Sequence, residues 1–150
     1  MDLVKKLMQE EQASLVVVKK GQTLLIKQSE GIQPLLTAID TLQSEIQGST
    51  VGDRVLGKAA AFLCVHAKVG SVYTSQATKT ALAILIRAGI PGQAEKMVPY
   101  LHNREKTDVC PFEKMLTNVD SAENAYQILK QHYELKKLNT TNTIEGKHGV

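Results

Sequence analysis

Gly57 and Lys58 begin a predicted helix whose first turn is able to bind an anion. The two residues precede a run of alanines, so the lysine stands where free backbone N–H groups and the helix dipole favour negative charge. A cation at this position is unfavourable unless a negative partner is present. That partner is either the phosphate or carboxylate of a ligand, or a carboxylate of the chain itself, Asp53 or Glu113. A solvated lysine without a partner is the remaining possibility.

Cys110 and Glu113 lie at a second predicted helix start and are candidate catalytic residues. Pro111 favours the first helical position, so Cys110 would be the N-cap and Glu113 the third helical residue, as in a capping box with a thiol in place of the hydroxyl. The helix start stabilises a thiolate, which makes Cys110 and Glu113 candidate catalytic residues, although the Glu113 charge opposes that effect. Capping alone explains both residues equally well.

Other polar positions near predicted turns are candidate ligand contacts. Asn103 and Arg104 stand in a polar loop and are able either to hold an anion or to face water. Ser29 and Gly31 form an anion-binding turn or an ordinary cap, and Ser75 is either a donor to a ligand or an N-cap. The predicted ligand-binding set is Ser29, Gly31, Asp53, Gly57, Lys58, Ser75, Asn103 and Arg104.

The sequence has no Ser-His-Asp set, no P-loop and no dinucleotide fingerprint. Cys64, His66, His102 and Cys110 are of the types that bind zinc. Cys64 and His66, however, lie two residues apart on one predicted helix and point to different faces. A buried thiol and a satisfied histidine explain them better, so we expect no metal and no cofactor.

The composition is that of one globular domain. The 150 residues suffice for a single core, and 43% of them are hydrophobic and 22% charged. The net charge of +3 is spread along the chain without a basic block, so no nucleic-acid partner is expected. No apolar run is long enough to cross a membrane. The polar start of the chain and its two cysteines predict a cytoplasmic protein with reduced thiols.

Hydrophobic periodicity predicts a three-layer α/β/α domain over residues 1–138, with a mixed sheet of four or five strands. The predicted strands are 14–19, 23–27, 71–74 and 96–101, and the first two form a hairpin around Gly21. The predicted helices are 1–12, 34–48, 57–70, 78–88, 111–118 and 121–138. A loop is predicted over 48–52 and a disordered tail over 139–150.

The order of these elements resembles an uncharacterised bacterial family of unknown function whose fold is classed with the cytidine deaminases. The resemblance covers roughly residues 14–116. It implies a cytidine-deaminase-like fold with a binding site at the helix start of Lys58. The motifs that carry it are Ser29-x-Gly31-Ile32-x-Pro34-Leu35, Asp53 with 57–61, Val72-Tyr73, and Val98-Pro99 through Asn103-Arg104 to Cys110-Pro111-x-Glu113.

The same resemblance argues against zinc chemistry. Deaminases place His or Cys, then Ala and Glu, at one central helix start and Pro-Cys-x-x-Cys at the next, because three protein ligands hold Zn²⁺ while the Glu moves protons. Here the first start reads Gly57-Lys58-Ala59, and the second reads Ser75-Gln76-Ala77-Thr78-Lys79. Neither supplies a ligand or the glutamate, so zinc-dependent deamination is not expected.

Three functions are compatible with these residues. The first is a zinc-free domain that binds a small anionic or nucleotide-like ligand at the former active site, with Lys58 and Arg104 supplying charge. The second is a non-catalytic regulatory or scaffolding domain. The third is a cysteine-dependent enzyme using Cys110, which lacks a recognisable histidine base. The sequence leaves open the ligand, any reaction and the oligomeric state.

Overall fold

The chain folds around a mixed sheet of five strands. A computed structural model describes residues 1–29, 31–99 and 111–148, with side chains in the last helix described as far as residue 135. The strands in these ranges are β1 (Leu15–Lys19), β2 (Gln22–Lys27), β3 (Thr50–Leu56), β4 (Ser71–Thr78) and β5 (Gly92–Val98). The α-helices are α1 (Asp2–Glu10), α2 (Gln33–Leu42), α3 (Lys58–His66), α4 (Lys79–Arg87), α5 (Pro111–Met115) and α6 (Ala122–His148), and a 3-10 helix (Gln43–Ile46) follows α2.

The strand order across the sheet is β2-β1-β3-β4-β5. β1 pairs antiparallel with β2 and β3, whereas β3, β4 and β5 are parallel to one another. The predicted hairpin is confirmed. Lys20 and Gly21 form its two-residue turn with φ of 51° and 76°, as a type I′ turn requires at both positions. The α/β class and the mixed sheet are therefore confirmed.

Helices cover both faces of the sheet, as the three-layer prediction requires. The larger core lies between the sheet and α2, α3, α4 and α6, and it buries α3 from Ala59 to Cys64. A smaller core on the opposite face is formed by α1, β1, one residue of the connection between them and one residue of β4. Its members are Val4, Met8, Ala13, Val16, Val18 and Tyr73. Within the described ranges, no helix has both the length and the apolar character needed to cross a membrane.

The predicted loop over residues 48–52 is wrong, because β3 runs through this stretch and forms the centre of the sheet. Gly52 lets α1 pack directly on the strand, since a Cβ there would lie 2.4 Å from Val4 Cγ1. Asp53 and Arg54 follow and interrupt the apolar pattern by which a strand is recognised. Backbone pairing with β1 on one side and β4 on the other stabilises this polar strand.

β4 extends to Thr78 and is longer than the predicted strand over 71–74. Ser75 therefore lies inside a strand and is not the N-cap of α4. Thr78 has that role, because its Oγ1 accepts a hydrogen bond from the backbone N–H of Ala81 at 3.1 Å. β5 covers Gly92–Val98 and so begins four residues before the predicted strand over 96–101, whose last two positions lie outside the described residues. Parallel pairing selects these strands, since β4 pairs with β3 and β5 and β5 pairs with β4, and a local sequence pattern does not contain that information.

Two helices end at positions other than those predicted. α3 ends at His66, and the left-handed residue that follows is Lys68, with φ of 58°, rather than Gly70. α6 continues to His148, so residues 139–148 are helical where the sequence predicts no regular structure. No Gly or Pro occurs between 122 and 145, so nothing interrupts helical hydrogen bonding once this helix has begun. The division between a domain over 1–138 and a tail stays a prediction.

Candidate functional site

The first turn of α3 already has an anionic partner from the chain itself. Gly57 is the N-cap, and the backbone N–H of Lys58 donates a hydrogen bond to Glu113 Oε1 at 2.8 Å. The Lys58 ammonium donates to the backbone carbonyl of Thr117 at 3.3 Å. Of the partners predicted for this helix start, the structure therefore brings Glu113 to it, across a separation of 55 residues.

Glu113 is half-buried in this position, and burial raises the pKa of its carboxyl group. The Lys58 N–H and ammonium act in the opposite direction, because both stabilise the carboxylate. A carboxyl group with a raised pKa accepts and releases a proton closer to neutral pH than a free glutamate. Its predicted partner Cys110 lies outside the described residues, as do Asn103 and Arg104, so the capping box and the thiolate hypothesis stay predictions.

Asp53 occupies a different environment, in the interior between β3 and α3. Its side chain is 9% exposed, and burial raises its pKa to about 7 against the opposing effect of the Val55 and Arg54 backbone N–H groups. It lies near Cys64, a fully buried thiol whose pKa is raised first by burial and then by the Asp53 charge. Asp53 makes no hydrogen bond or ion pair with Lys58 within the described structure.

Ser29 and Gly31 form the turn that leads into α2. The Ser29 carbonyl accepts a short hydrogen bond from Ser14 Oγ, and Gly31 has φ of 91°. β2 and β3 both run antiparallel to β1, so the turn after β2 lies at the same end of the strands as the start of α3. The N-cap of α2 is Ile32, so Ser29 does not cap that helix. Ser75 lies half-buried in β4.

A groove of about 320 Å³ runs along the outer side of α3 and α4. The connection between α5 and α6 forms its third wall. The lining residues are Lys58, Phe62 and Val65 of α3, then Thr80, Ile84, Arg87 and Ala88 at α4, and Val119, Asp120 and Ala122 of the third wall.

The two helices line this groove with matching stripes at positions i, i+4 and i+7, which share one helix face. Each stripe has an apolar middle, and the cations Lys58 and Arg87 stand at opposite ends, on α3 and α4 respectively. Seven helical residues span about 10 Å, so the two charges are separated by roughly that length along the groove. Arg87 makes no hydrogen bond or ion pair with any described residue.

Sequence reasoning identified only Lys58 among the groove residues. It missed Phe62, Thr80, Arg87 and Asp120, which local motifs do not mark. The signal in the sequence that could have revealed the groove is the equal spacing of two sets of residues, Lys58-Phe62-Val65 and Thr80-Ile84-Arg87. In the described ranges, no group of three His, Cys, Asp or Glu side chains is placed to hold a metal ion.

These features define an α/β domain with a surface groove between α3 and α4, the helices that connect the parallel strands β3, β4 and β5. The chain belongs to the family described as TM1506, domain of unknown function (DUF1893), whose family model matches residues 3–133. Its fold is similar to the crystal structure of a DUF1893 family protein (TM1506) from Thermotoga maritima, solved at 2.70 Å. That match has a TM-score of 0.81 and 22% identity, and it covers 87% of this chain and 88% of the other.

Two solved structures of RibD from Acinetobacter baumannii, described as form 2 and form 1, give weaker matches. Form 2 has a TM-score of 0.49 and 16% identity over 62% of this chain and 34% of that one. Form 1 has a TM-score of 0.48 and 17% identity over 61% and 33%. Among curated proteins, none matches this chain.

Proposed function

We propose that this domain binds a small anionic molecule in the groove between α3 and α4, beside the helix start where the deaminase resemblance implies an active site. The observation that carries the proposal is the pair of cations at opposite ends of an apolar groove, one of which, Arg87, has no partner among the described residues. An apolar floor removes a ligand body from water, and the two cations then orient its charged groups.

The charges of the groove favour an anion. Lys58 and Arg87 contribute two positive charges, and Asp120 contributes one negative charge. The first backbone N–H of α3, that of Lys58, already donates a hydrogen bond to Glu113. The ligand would therefore contact the two cationic side chains rather than the backbone of this helix start. The Lys58 ammonium has three donors and uses one for Thr117, so donors remain for a phosphate or carboxylate.

The dimensions narrow the ligand class. A volume of about 320 Å³ is at the lower end of the range for small-molecule sites. An anionic group at Lys58, an apolar or planar body over Phe62 and Ile84, and an acceptor near Arg87 together describe a nucleotide-like molecule. A substituted sugar phosphate or an aromatic dicarboxylate meets the same requirements.

A thermal-shift screen of nucleotides, nucleosides, sugar phosphates and dicarboxylates tests the proposal. A compound present at 100 times its Kd adds about 2.7 kcal/mol to the free energy of unfolding, which raises Tm by roughly 5–10 °C in a chain of this size. Arg87→Gln is expected to abolish most of that shift. Lys79→Gln is the matched control, since it removes an exposed cation of the same helix that does not line the groove.

Two outcomes contradict the proposal. If no anionic compound raises Tm, the regulatory or scaffolding hypothesis is favoured. If a compound raises Tm equally in the wild type, Arg87→Gln and Lys58→Gln, it binds at a different place.

A further inference from the structure

The third wall of the proposed groove is tied to α3 at both ends of that helix. We call residues 113–126 the wall segment, since it contains Val119, Asp120 and Ala122 of the groove lining. At the start of α3, the wall segment is held by the hydrogen bonds of Lys58. At the end of α3, it is held by His66, which follows the groove residue Val65 directly.

The contacts of His66 involve two residues at the beginning of α6. Its imidazole stacks on the Tyr126 ring with a centroid distance of 3.9 Å and an interplanar angle of 12°. Its Nδ1 lies 3.7 Å from Glu123 Oε2. Glu123 follows the groove residue Ala122, so these contacts hold the wall next to a residue that lines the groove.

Tyr126 also connects the wall to α2. Its hydroxyl donates a hydrogen bond to Asp40 Oδ1 at 3.2 Å, and the Lys130 ammonium lies 5.5 Å from its ring centroid. The charged groups around the His66 and Tyr126 stack are therefore Glu123 and Asp40, which are negative, and Lys130, which is positive. Of these groups Glu123 lies within 4 Å of the imidazole itself, so a positive charge on the imidazole strengthens the contact.

We infer that His66 is a positioning residue that holds the wall segment against α3, and that its protonation tightens this wall. The inference about the wall stands on the contacts alone, while its consequence for ligand binding rests on the proposed function. An imidazole changes charge between about pH 5 and pH 8. With a protonated imidazole the contact with Glu123 is an ion pair, while the stack on Tyr126 is present in both forms.

Hydrogen exchange of the ligand-free protein measures the wall without reference to any ligand. After correction for intrinsic exchange rates, the amides of the first two turns of α6 are expected to be about two- to fivefold better protected at low pH than at high pH, the range for a single exposed ion pair. The comparison uses about pH 5.5 and about pH 7.5. It is made in the Asp53→Asn background, because Asp53, with a pKa of about 7, is expected to change the stability of the whole protein in the same interval.

Three variants separate charge from packing. Glu123→Gln and His66→Phe are expected to remove the pH dependence, and His66→Phe retains protection at both pH values because the stack remains. His66→Ala is expected to lower protection at both pH values. The control is Glu134→Gln, an exposed carboxylate on the same helix, which is expected to keep the pH dependence of the parent protein.

Protection that is independent of pH in the Asp53→Asn parent overturns the inference, as does a pH dependence that survives both Glu123→Gln and His66→Phe in that background. Either result leaves the groove proposal intact, because the Arg87→Gln thermal shift tests that proposal separately. If a groove ligand is found, its Kd is expected to fall about two- to fivefold at the lower pH in the wild type. A Kd in His66→Phe with the same pH dependence argues against the inference.

Discussion

Asp53 and Glu113 are carboxyl groups whose pKa values are raised mainly by burial, but they lie in regions of different character. Asp53 lies between β3 and α3, where backbone N–H groups of its own strand are its hydrogen-bond donors. Glu113 lies at the surface end of α3, where it accepts a hydrogen bond from another element and is near the Lys58 ammonium.

The comparison shows that a raised pKa by itself does not indicate a functional site. Desolvation raises a carboxyl pKa wherever the group is buried, but a ligand needs an accessible surface. Among the described residues, Asp53 is buried and has no accessible surface beside it for a ligand, whereas Glu113 adjoins Lys58, which lines an open groove. We therefore expect substitutions of Asp53 to change stability and its pH dependence, and substitutions near Lys58 to change capping or binding.

The largest expected effect is that of Asp53→Asn. The folded protein binds the Asp53 proton more tightly than the unfolded chain, since the pKa rises from 3.8 to about 7. Wild-type stability is therefore expected to fall as pH rises through that interval, by up to about 1.4 kcal/mol per pH unit, and to level off above it. Asp53→Asn removes this contribution and is expected to be more stable than the wild type at neutral and higher pH.

Urea unfolding at several pH values, followed by circular dichroism, measures this effect. The exposed carboxyl variant Glu45→Gln serves as the control and is expected to follow the wild-type pH dependence. Parallel stability curves for Asp53→Asn and the wild type would show that the buried carboxyl does not carry the pH dependence.

Glu113→Ala is expected to have the next largest effect. It leaves the first N–H of α3 without its acceptor, which costs about 0.5–2 kcal/mol at a helix start. Glu113→Gln retains an acceptor oxygen and is expected to recover most of that stability. Urea denaturation of the two variants measures the difference. Equal stability of Glu113→Ala and Glu113→Gln is incompatible with a capping role.

Lys58→Ala is expected to change the stability of the empty protein by less than about 0.5 kcal/mol, as for most exposed substitutions. The variant keeps the hydrogen bond from the backbone N–H of residue 58 to Glu113. It loses the hydrogen bond from the partly exposed ammonium to the Thr117 carbonyl. The thermal shift caused by a groove ligand is expected to fall in the same variant. A large loss of stability without a change in the ligand shift would assign Lys58 a structural role only.

The smallest effect is expected from removal of residues 139–150. The last residues of α6 in the core are Leu129 and, partly buried, Tyr133, so the described core ends before the deleted part. Tm is expected to stay within the error of a thermal scan, while the helical signal in circular dichroism falls. A decrease in Tm of several degrees would show that this end of the chain stabilises the domain.

Much of the fold follows from local patterns in the sequence. The hairpin was predictable because Gly21 separates two apolar runs, and α4 was predictable because a strongly apolar segment stops at Gly89. β3 was missed because Gly52, Asp53 and Arg54 carry no strand pattern. Their backbone groups are paired by β1 and β4, which lie far away in the sequence.

The candidate site divides in the same way. The sequence alone determined that Lys58 begins a helix and that this helix start calls for a negative partner, because helix signals and the helix dipole act over a few residues. It also contains the two stripes at i, i+4 and i+7. Only the tertiary structure decided that Glu113 is the partner, that Asp53 is buried elsewhere and that the stripes face one groove, because these results depend on packing between distant segments.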